Sequence, residues 1–196
     1  MKHYKSAIIF VVLTLVAGIS FAGPSSGKSP TDYMKSIDKK LKPLLANAKQ
    51  NEGKIIKIIN RMMDFKALCK ASLGKHWDER TDAERKDFTD TLHALIEKNV
   101  VARLKDTKNH IVTYESEELD ANRATVVSVV ADGTGSRAVQ IEIAYKLKKK
   151  GKGWIVYDMV TDGVSLVSNY RSQFHKIISK DGWDAMMKKM KDKLAQ

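Results

Sequence analysis

Cysteine, proline and glycine are all scarce in this sequence. Its 196 residues include 1 cysteine, 3 prolines and 11 glycines. A lone cysteine excludes an internal disulfide framework and a zinc site made of cysteines, and so few prolines and glycines exclude a collagen-like or low-complexity polymer. Apolar residues make up 43% and charged residues 30% of the chain. This balance excludes a disordered chain, and the length predicts one domain or at most two small ones.

Charge is absent from residues 6–21, which follow a basic N-terminal segment. The small residues Ser20 and Ala22 stand at the two positions that a signal peptidase reads. We therefore predict that residues 1–22 are a signal peptide, that it is cleaved, and that the protein is exported to the periplasm. A short membrane anchor is the alternative, but spanning a bilayer usually takes about 20 apolar residues.

The mature chain is predicted to begin with a flexible leader over residues 23–30, rich in glycine, proline and serine, followed by a single α+β domain over residues 31–196. Helices come first in this domain. The clearest of them begins at a capping box, Thr81-Asp82-Ala83-Glu84. Apolar residues then recur at three- and four-residue steps as far as Leu104, the pattern of a long amphipathic helix.

Strands follow in the second half of the chain. Apolar residues alternate with other residues from Val139 to Leu147, which predicts a strand with one buried face, and short turns on either side indicate an antiparallel meander. Helical spacing returns after Asp162-Gly163, so we expect a helix that starts near Val164 and then a last helix. The predicted fold class is α+β, with helices packed on one face of a curved antiparallel sheet of about four strands.

The single thiol, Cys69, lies in a helical pattern in which Phe65, Leu68 and Ser72 share its face. Since an unpaired cysteine behaves as a small apolar residue, we predict that it is buried and inert. The alternative is an exposed thiol that reacts with another molecule.

Motifs that carry catalysis are lacking. No histidine is three or four residues from another, so a helical metal site has no local support, and no nucleophile elbow occurs. Asp158 and Asp162 flank the end of a predicted strand, where a carboxylate could serve in general acid–base catalysis. The simpler interpretation is that these carboxylates end the strand or cap a helix. We predict no catalysis, no metal and no cofactor.

The excess of positive charge indicates either an anionic binding partner or a surface that keeps the protein soluble. The net charge is +12, and lysines crowd residues 146–152 and 188–193. Export argues against nucleic acid, the usual partner of such clusters. An anionic membrane surface, an acidic protein face and a solvated surface stay open.

The chain resembles the toluene-tolerance family of periplasmic phospholipid-binding proteins in two stretches. The first comprises residues 65–77 and 81–88, and the second comprises residues 153–174. The best-known member of this family is the soluble carrier of the Mla pathway, which maintains the lipid asymmetry of the outer membrane. The resemblance implies a nuclear-transport-factor-like fold with a deep apolar cavity between sheet and helices. It also implies a shuttle for phospholipid. The implied partners are an inner-membrane ABC transporter complex with its substrate-binding ring protein, and an outer-membrane lipoprotein–porin complex. One branch of this family is linked to hopanoid lipids, so the resemblance does not decide which lipid is carried.

A cavity of this kind would be lined by apolar residues of one helix, two strands and the segment after them. The candidate lipid-binding residues are Leu92, Ile96, Val100, Ile141, Ile143, Tyr145, Tyr157, Met159, Val164, Val167 and Tyr170. The competing interpretation for each of them is ordinary core packing.

Two other functions stay open from the sequence. One is a small-molecule enzyme of the isomerase or hydrolase type on the same fold, with Asp158 or a histidine as general base in the cavity. The other is a basic adhesion or chaperone-like module with a filled core.

Overall fold

The computed structural model describes residues 28–104, 110–132 and 139–196. The predicted signal peptide, and all of the predicted leader except its last three residues, lie outside the described residues. The described part contains six α-helices, one 3₁₀-helix and five strands. In chain order they are α1 (Pro30–Leu45), α2 (Glu52–Met62), α3 (Phe65–Leu73), the 3₁₀-helix Gly74–Trp77, α4 (Asp82–Leu104), β1 (His110–Asp120), β2 (Arg123–Asp132), β3 (Val139–Lys150), β4 (Gly153–Thr161), β5 (Val164–Ser165), α5 (Leu166–Asp181) and α6 (Trp183–Ala195).

The strands form one antiparallel sheet in the order β1-β2-β3-β4-β5, so the predicted α+β class and the meander are confirmed. The expectation of a helix from Val164 is wrong. Asp162 and Gly163 both have positive φ and turn the chain back sharply. Val164 then pairs with Thr161 and forms a short fifth strand, and α5 begins only at Leu166.

Local sequence signals fix where several helices begin. The capping box forms as predicted: the Thr81 N–H donates to Glu84 Oε2 at 2.7 Å, and the Glu84 N–H donates to Thr81 Oγ1 at 3.3 Å. Asp64 caps α3 by accepting from the Ala67 N–H at 3.1 Å.

Helix α1 begins at the last residue of the predicted leader. The Ser29 hydroxyl oxygen accepts from the Asp32 N–H, and Pro30 is the first residue of the helix. Proline is favoured there because its ring already has the helical φ and its missing N–H has no intrahelical partner at that position. The last residues of the predicted leader therefore belong to the folded domain.

Helices α1 and α2 form an antiparallel hairpin over the sheet. The start of α1 is held where the Thr31 N–H donates to Glu117 of β1 and the Trp154 indole donates to the Lys28 carbonyl. The end of α2 returns to the same end of the sheet, where the Asp64 N–H donates to the Val156 carbonyl at 2.7 Å. That bond covers part of the outer edge of β4.

The hydrophobic core lies between this end of the sheet and the helices. Its largest fully buried side chains include Phe88, Leu92, Leu147 and Met186, each 0% exposed. Cys69 is also 0% exposed, which confirms the prediction that the thiol is buried. No helix among the described residues has both the length and the apolar character needed to cross a membrane.

Candidate functional site

The face of the sheet that meets the helices is divided into two halves. The register puts Ala124, Val126, Leu147 and Val156 on this inner face, all at most 4% exposed and all part of the continuous core. We call this the closed half. Further along the same strands the inner face continues with apolar side chains that are partly buried or exposed.

This less buried part, which we call the open half, is formed by four apolar side chains on β1, β2 and β3. Val112 pairs with Val130, which pairs with Ile141, and Ile143 follows on the same face. Val112 is 38% exposed, the other three are partly exposed, and none of the four belongs to the core. A sheet face whose apolar residues lie outside the core and keep part of their surface exposed is a surface to which an apolar ligand can bind.

Helices lie beside the open half. Helix α1 runs along β1 from Glu117 past Tyr114, whose hydroxyl donates to Asp38, and Leu41 and Leu45 in its last turns are partly buried against the core. Since α5 starts directly after β5, its first turns lie at this end of the sheet as well. We call the open half, together with the helix turns beside it, the apolar cleft.

A polar group marks the boundary between the two halves. It consists of Asp38 on α1, Tyr114 on β1, Ser128 on β2 and Tyr145 on β3. Burial raises the pKa of the Asp38 carboxyl, although the hydrogen bond from Tyr114 partly offsets the rise. Burial, with the charge of Asp38, raises the pKa of Tyr145 to about 12. Both phenols are therefore neutral, and the apolar cleft ends on hydroxyl groups.

A concavity lies on the helical side of the molecule, between α2 and α4. This groove has a volume of about 440 Å³, an apolar floor and a charged rim. It is lined by Glu52, Ile56, Ala94, Glu97, Lys98, Val101 and Ala102. Ile59 and Val100 lie directly beneath it.

Nine of the eleven candidate lipid-binding residues lie on the inner sheet face or in and beside the core. Ile141, Ile143, Tyr145 and Met159 share the inner face, with Tyr145 and Met159 directly paired across β3 and β4. A second group of partly buried side chains, Val100 and Tyr170, packs at the margin of the core, while Leu92, Ile96 and Val167 are buried within it.

The other two candidates, Tyr157 and Val164, are not placed as predicted. The register of β3 and β4 shifts between Lys146 and Leu147, so β4 holds one extra residue there and the alternation of faces is broken. The Tyr157 ring lies 5.7 Å from the Arg123 guanidinium. Arg123 is on the opposite face of the sheet from Ala124, so Tyr157 points away from the apolar cleft. Val164 is 59% exposed on β5.

Sequence reasoning missed Val112, Val130 and the Asp38–Tyr114 pair. Val130 stands in a run of β-branched residues with no alternation, so no face could be assigned to it from the sequence. The Asp38–Tyr114 hydrogen bond joins residues that are 76 positions apart, and no local sequence pattern predicts such a contact.

Side chains considered for catalysis have structural roles. Asp158 is 7% exposed, and its oxygens accept from the backbone N–H groups of Met159 and Val167 and from the Ser165 hydroxyl. His76 lies 3.0 Å from His175. In the described part of the chain, no three His, Cys, Asp or Glu side chains are grouped so that they could hold a metal ion.

A comparison with known families decides what the chain is related to. The model of the MlaC protein family matches residues 29–192. The chain belongs to the MlaC protein family. This confirms the resemblance seen in the two sequence stretches.

Two individual relatives share between 20% and 28% of their aligned residues with this chain. The chain is 28% identical over 126 residues to the intermembrane phospholipid transport system binding protein MlaC of Haemophilus influenzae, an alignment that covers 63% of this chain and 59% of that protein. The chain thus spans less than two thirds of that relative's length. A solved phospholipid-binding protein from Ralstonia solanacearum, in complex with a phospholipid, matches with a TM-score of 0.74 at 20% identity. The match covers 86% of this chain and 98% of that one, and it shows that the fold is shared.

Proposed function

We propose that the protein binds phospholipid and holds the acyl chains in the apolar cleft. The observation that carries the proposal is the division of the inner sheet face, where the closed half is packed and the open half leaves Val112, Val130, Ile141 and Ile143 outside the core. The phospholipid that the Ralstonia solanacearum protein holds, on the same fold, supports this choice of ligand.

The energetics of such binding favour exchange with a membrane. Burying a CH₂ group contributes about 0.8 kcal/mol, so the roughly 30 CH₂ groups of a diacyl lipid gain about 25 kcal/mol relative to water. A bilayer offers nearly the same gain. Transfer between a bilayer and an apolar cleft is then close to neutral, and the protein needs no energy source of its own.

Membership of the MlaC family and the name of the Haemophilus influenzae relative support a more specific role. We propose that the protein is a periplasmic shuttle that carries phospholipid between an outer-membrane lipoprotein–porin complex and an inner-membrane ABC transporter, without catalysis. Transfer of labelled phospholipid from the loaded protein to vesicles that contain the transporter complex tests this route. Transfer that is equal with and without the transporter contradicts it.

Lipid binding itself is tested on protein purified from cells, by extraction and mass spectrometry. Phospholipid is expected in the extract of the wild-type protein. Ile141→Asp puts a charge on the open half and is expected to lower the lipid content at least about tenfold, because a carboxylate in contact with acyl chains is strongly unfavourable.

Ile111→Asp is the matched control. Ile111 lies at the same end of the sheet, but it pairs with Ala131 on the opposite face and is 50% exposed. We expect the control to retain its lipid. An equal loss in both variants, or wild-type protein that carries no lipid, would overturn the proposal.

A further inference from the structure

Positive charge is concentrated in the α1–α2 hairpin. Residues 28–62 hold nine Lys and Arg against three Asp and Glu, a net charge of +6. The remaining residues, 63–196, hold 24 against 20, a net charge of +4 on almost four times as many residues. The excess of positive charge therefore lies mainly in the α1–α2 hairpin. This hairpin does not include either of the two lysine clusters that stand out in the sequence, at residues 146–152 and 188–193.

The cations of this hairpin are exposed and without acidic partners. All nine basic residues of this segment are exposed, and none forms an ion pair within the part of the chain that the structure describes; they are Lys28, Lys35, Lys39, Lys40, Lys42, Lys49, Lys54, Lys57 and Arg61. Lys35 lies over the Tyr114 ring, with 5.9 Å between its Nζ and the ring centre. Nothing on the hairpin neutralises this set locally.

Helix α6 provides the contrast. Three of its four lysines are neutralised by carboxylates at 2.7 or 2.8 Å: Lys188 by Asp192, Lys189 by Asp181 and Lys191 by Asp87. The lysine cluster of the last helix, which the sequence offered as a charged surface, is therefore compensated within the protein.

The uncompensated cations form two neighbouring stripes. On α1 they recur at Lys35, Lys39 and Lys42, and on α2 at Lys54, Lys57 and Arg61, which is the three- and four-residue spacing of one helical face. Helices α1 and α2 contact each other, and the residues of both stripes are exposed. The groove with the apolar floor lies on the other side of α2, where Glu52 and Ile56 line it.

The identity of the basic residues indicates the partner. Eight of the nine in residues 28–62 are lysines. Protein–protein interfaces are enriched in arginine and depleted in lysine, because the planar guanidinium forms directional paired hydrogen bonds whereas the ammonium is a compact, strongly hydrated charge. Anionic lipid headgroups present a diffuse negative surface, for which such charges are sufficient.

We propose that the α1–α2 hairpin docks the protein on the anionic headgroups of a membrane through these two stripes. Docking of this kind goes beyond the proposed lipid binding and does not require it, because the stripes lie on the outer surface of the helices and the apolar cleft lies beneath them. The two ideas can therefore fail separately.

Co-sedimentation with vesicles tests the docking. We expect the purified protein to bind phosphatidylcholine vesicles that contain one quarter phosphatidylglycerol, and not to bind vesicles of phosphatidylcholine alone. Added salt is expected to release the bound protein from the vesicles. Each basic residue near an anionic surface strengthens binding about fivefold, so the triple variant Lys39→Gln, Lys54→Gln, Lys57→Gln is expected to bind about 100-fold more weakly.

The matched control is the triple variant Lys188→Gln, Lys189→Gln, Lys191→Gln, which removes the same net charge from α6 and is expected to bind nearly as well as the wild type. Equal weakening of both variants would show that only overall charge matters, and wild-type binding that ignores phosphatidylglycerol would show that the surface is not a membrane-docking one. Either result overturns the proposal. Circular dichroism confirms that the variants are folded, and their lipid content, measured separately, reports on the apolar cleft.

Discussion

The carboxylate of Asp158 is expected to hold the start of α5 in place, and its removal gives a sharp test of the structure. Oδ1 accepts from the Met159 N–H at 2.9 Å and from the buried Val167 N–H at 3.1 Å, and Oδ2 accepts from the Ser165 hydroxyl at 2.7 Å. In Asp158→Ala the Val167 N–H loses its partner in a site where water is excluded.

The expected loss of stability follows from these contacts. A buried donor left without a partner costs about 1–3 kcal/mol, and the loss of a negative charge at a helix N-terminus adds about 0.3–1 kcal/mol. We expect Asp158→Ala to lower the free energy of unfolding by about 3 kcal/mol. Asp158→Asn keeps an oxygen that can accept from the backbone, so its loss is expected to be about 1 kcal/mol.

Urea denaturation followed by circular dichroism measures these changes. Glu118→Ala is the control, since Glu118 is exposed on β1 and its carboxylate makes no hydrogen bond or ion pair with the described residues; its effect should stay within about 0.5 kcal/mol. A loss below about 1 kcal/mol in Asp158→Ala would refute the capping role. Unchanged stability would also revive the alternative in which this carboxylate is a general base.

Two further predictions concern groups whose pKa values the fold displaces. Burial, with the nearby charge of Asp90, raises the pKa of the Cys69 thiol to about 12, so the folded protein should not react with iodoacetamide at pH 8, whereas the protein in urea should; labelling of the folded state followed by mass spectrometry would contradict this. Burial raises the pKa of Asp64, but hydrogen bonds from Lys148 and from the Ala67 N–H, with the charges of Lys148 and Lys150, outweigh it and lower the pKa overall. The stabilisation by Asp64 is then present above the unfolded carboxyl pKa of about 3.9 and is lost as the pH falls through the lower folded value. Asp64→Asn should therefore weaken the decline of the unfolding free energy in acid, and unfolding curves with the same pH dependence as wild type would rule this out.

Elements whose signals are local could be predicted from the sequence. The capping box at Thr81 and the cap at Asp64 each join residues three positions apart, and the alternation in β3 separates its two faces without reference to the rest of the chain. The family also followed from contiguous stretches. For the same reason Ile141 and Ile143 were placed correctly on the face that meets the helices.

Errors arose where a contact between distant residues overrides the local pattern. The bulge in β4 exists only because β3 pairs with it, and this bulge turns Tyr157 to the opposite face. Val164 has helical spacing relative to later residues, yet its pairing with Thr161 places it in a strand. Neither event has a signature within a few residues of sequence.

The sequence by itself determined the order of helices and strands, the antiparallel meander and the family, because caps, turns and apolar periodicity act over a few neighbouring residues. Only the tertiary structure decided which apolar side chains have packing partners, and so distinguished Leu92 and Val167 in the core from Val130 and Ile141 outside it. It also decided which lysines are neutralised, since Lys191 finds its carboxylate, Asp87, 104 residues away. Burial and charge compensation depend on which segments meet in space, and the spacing of residues along the chain does not record this.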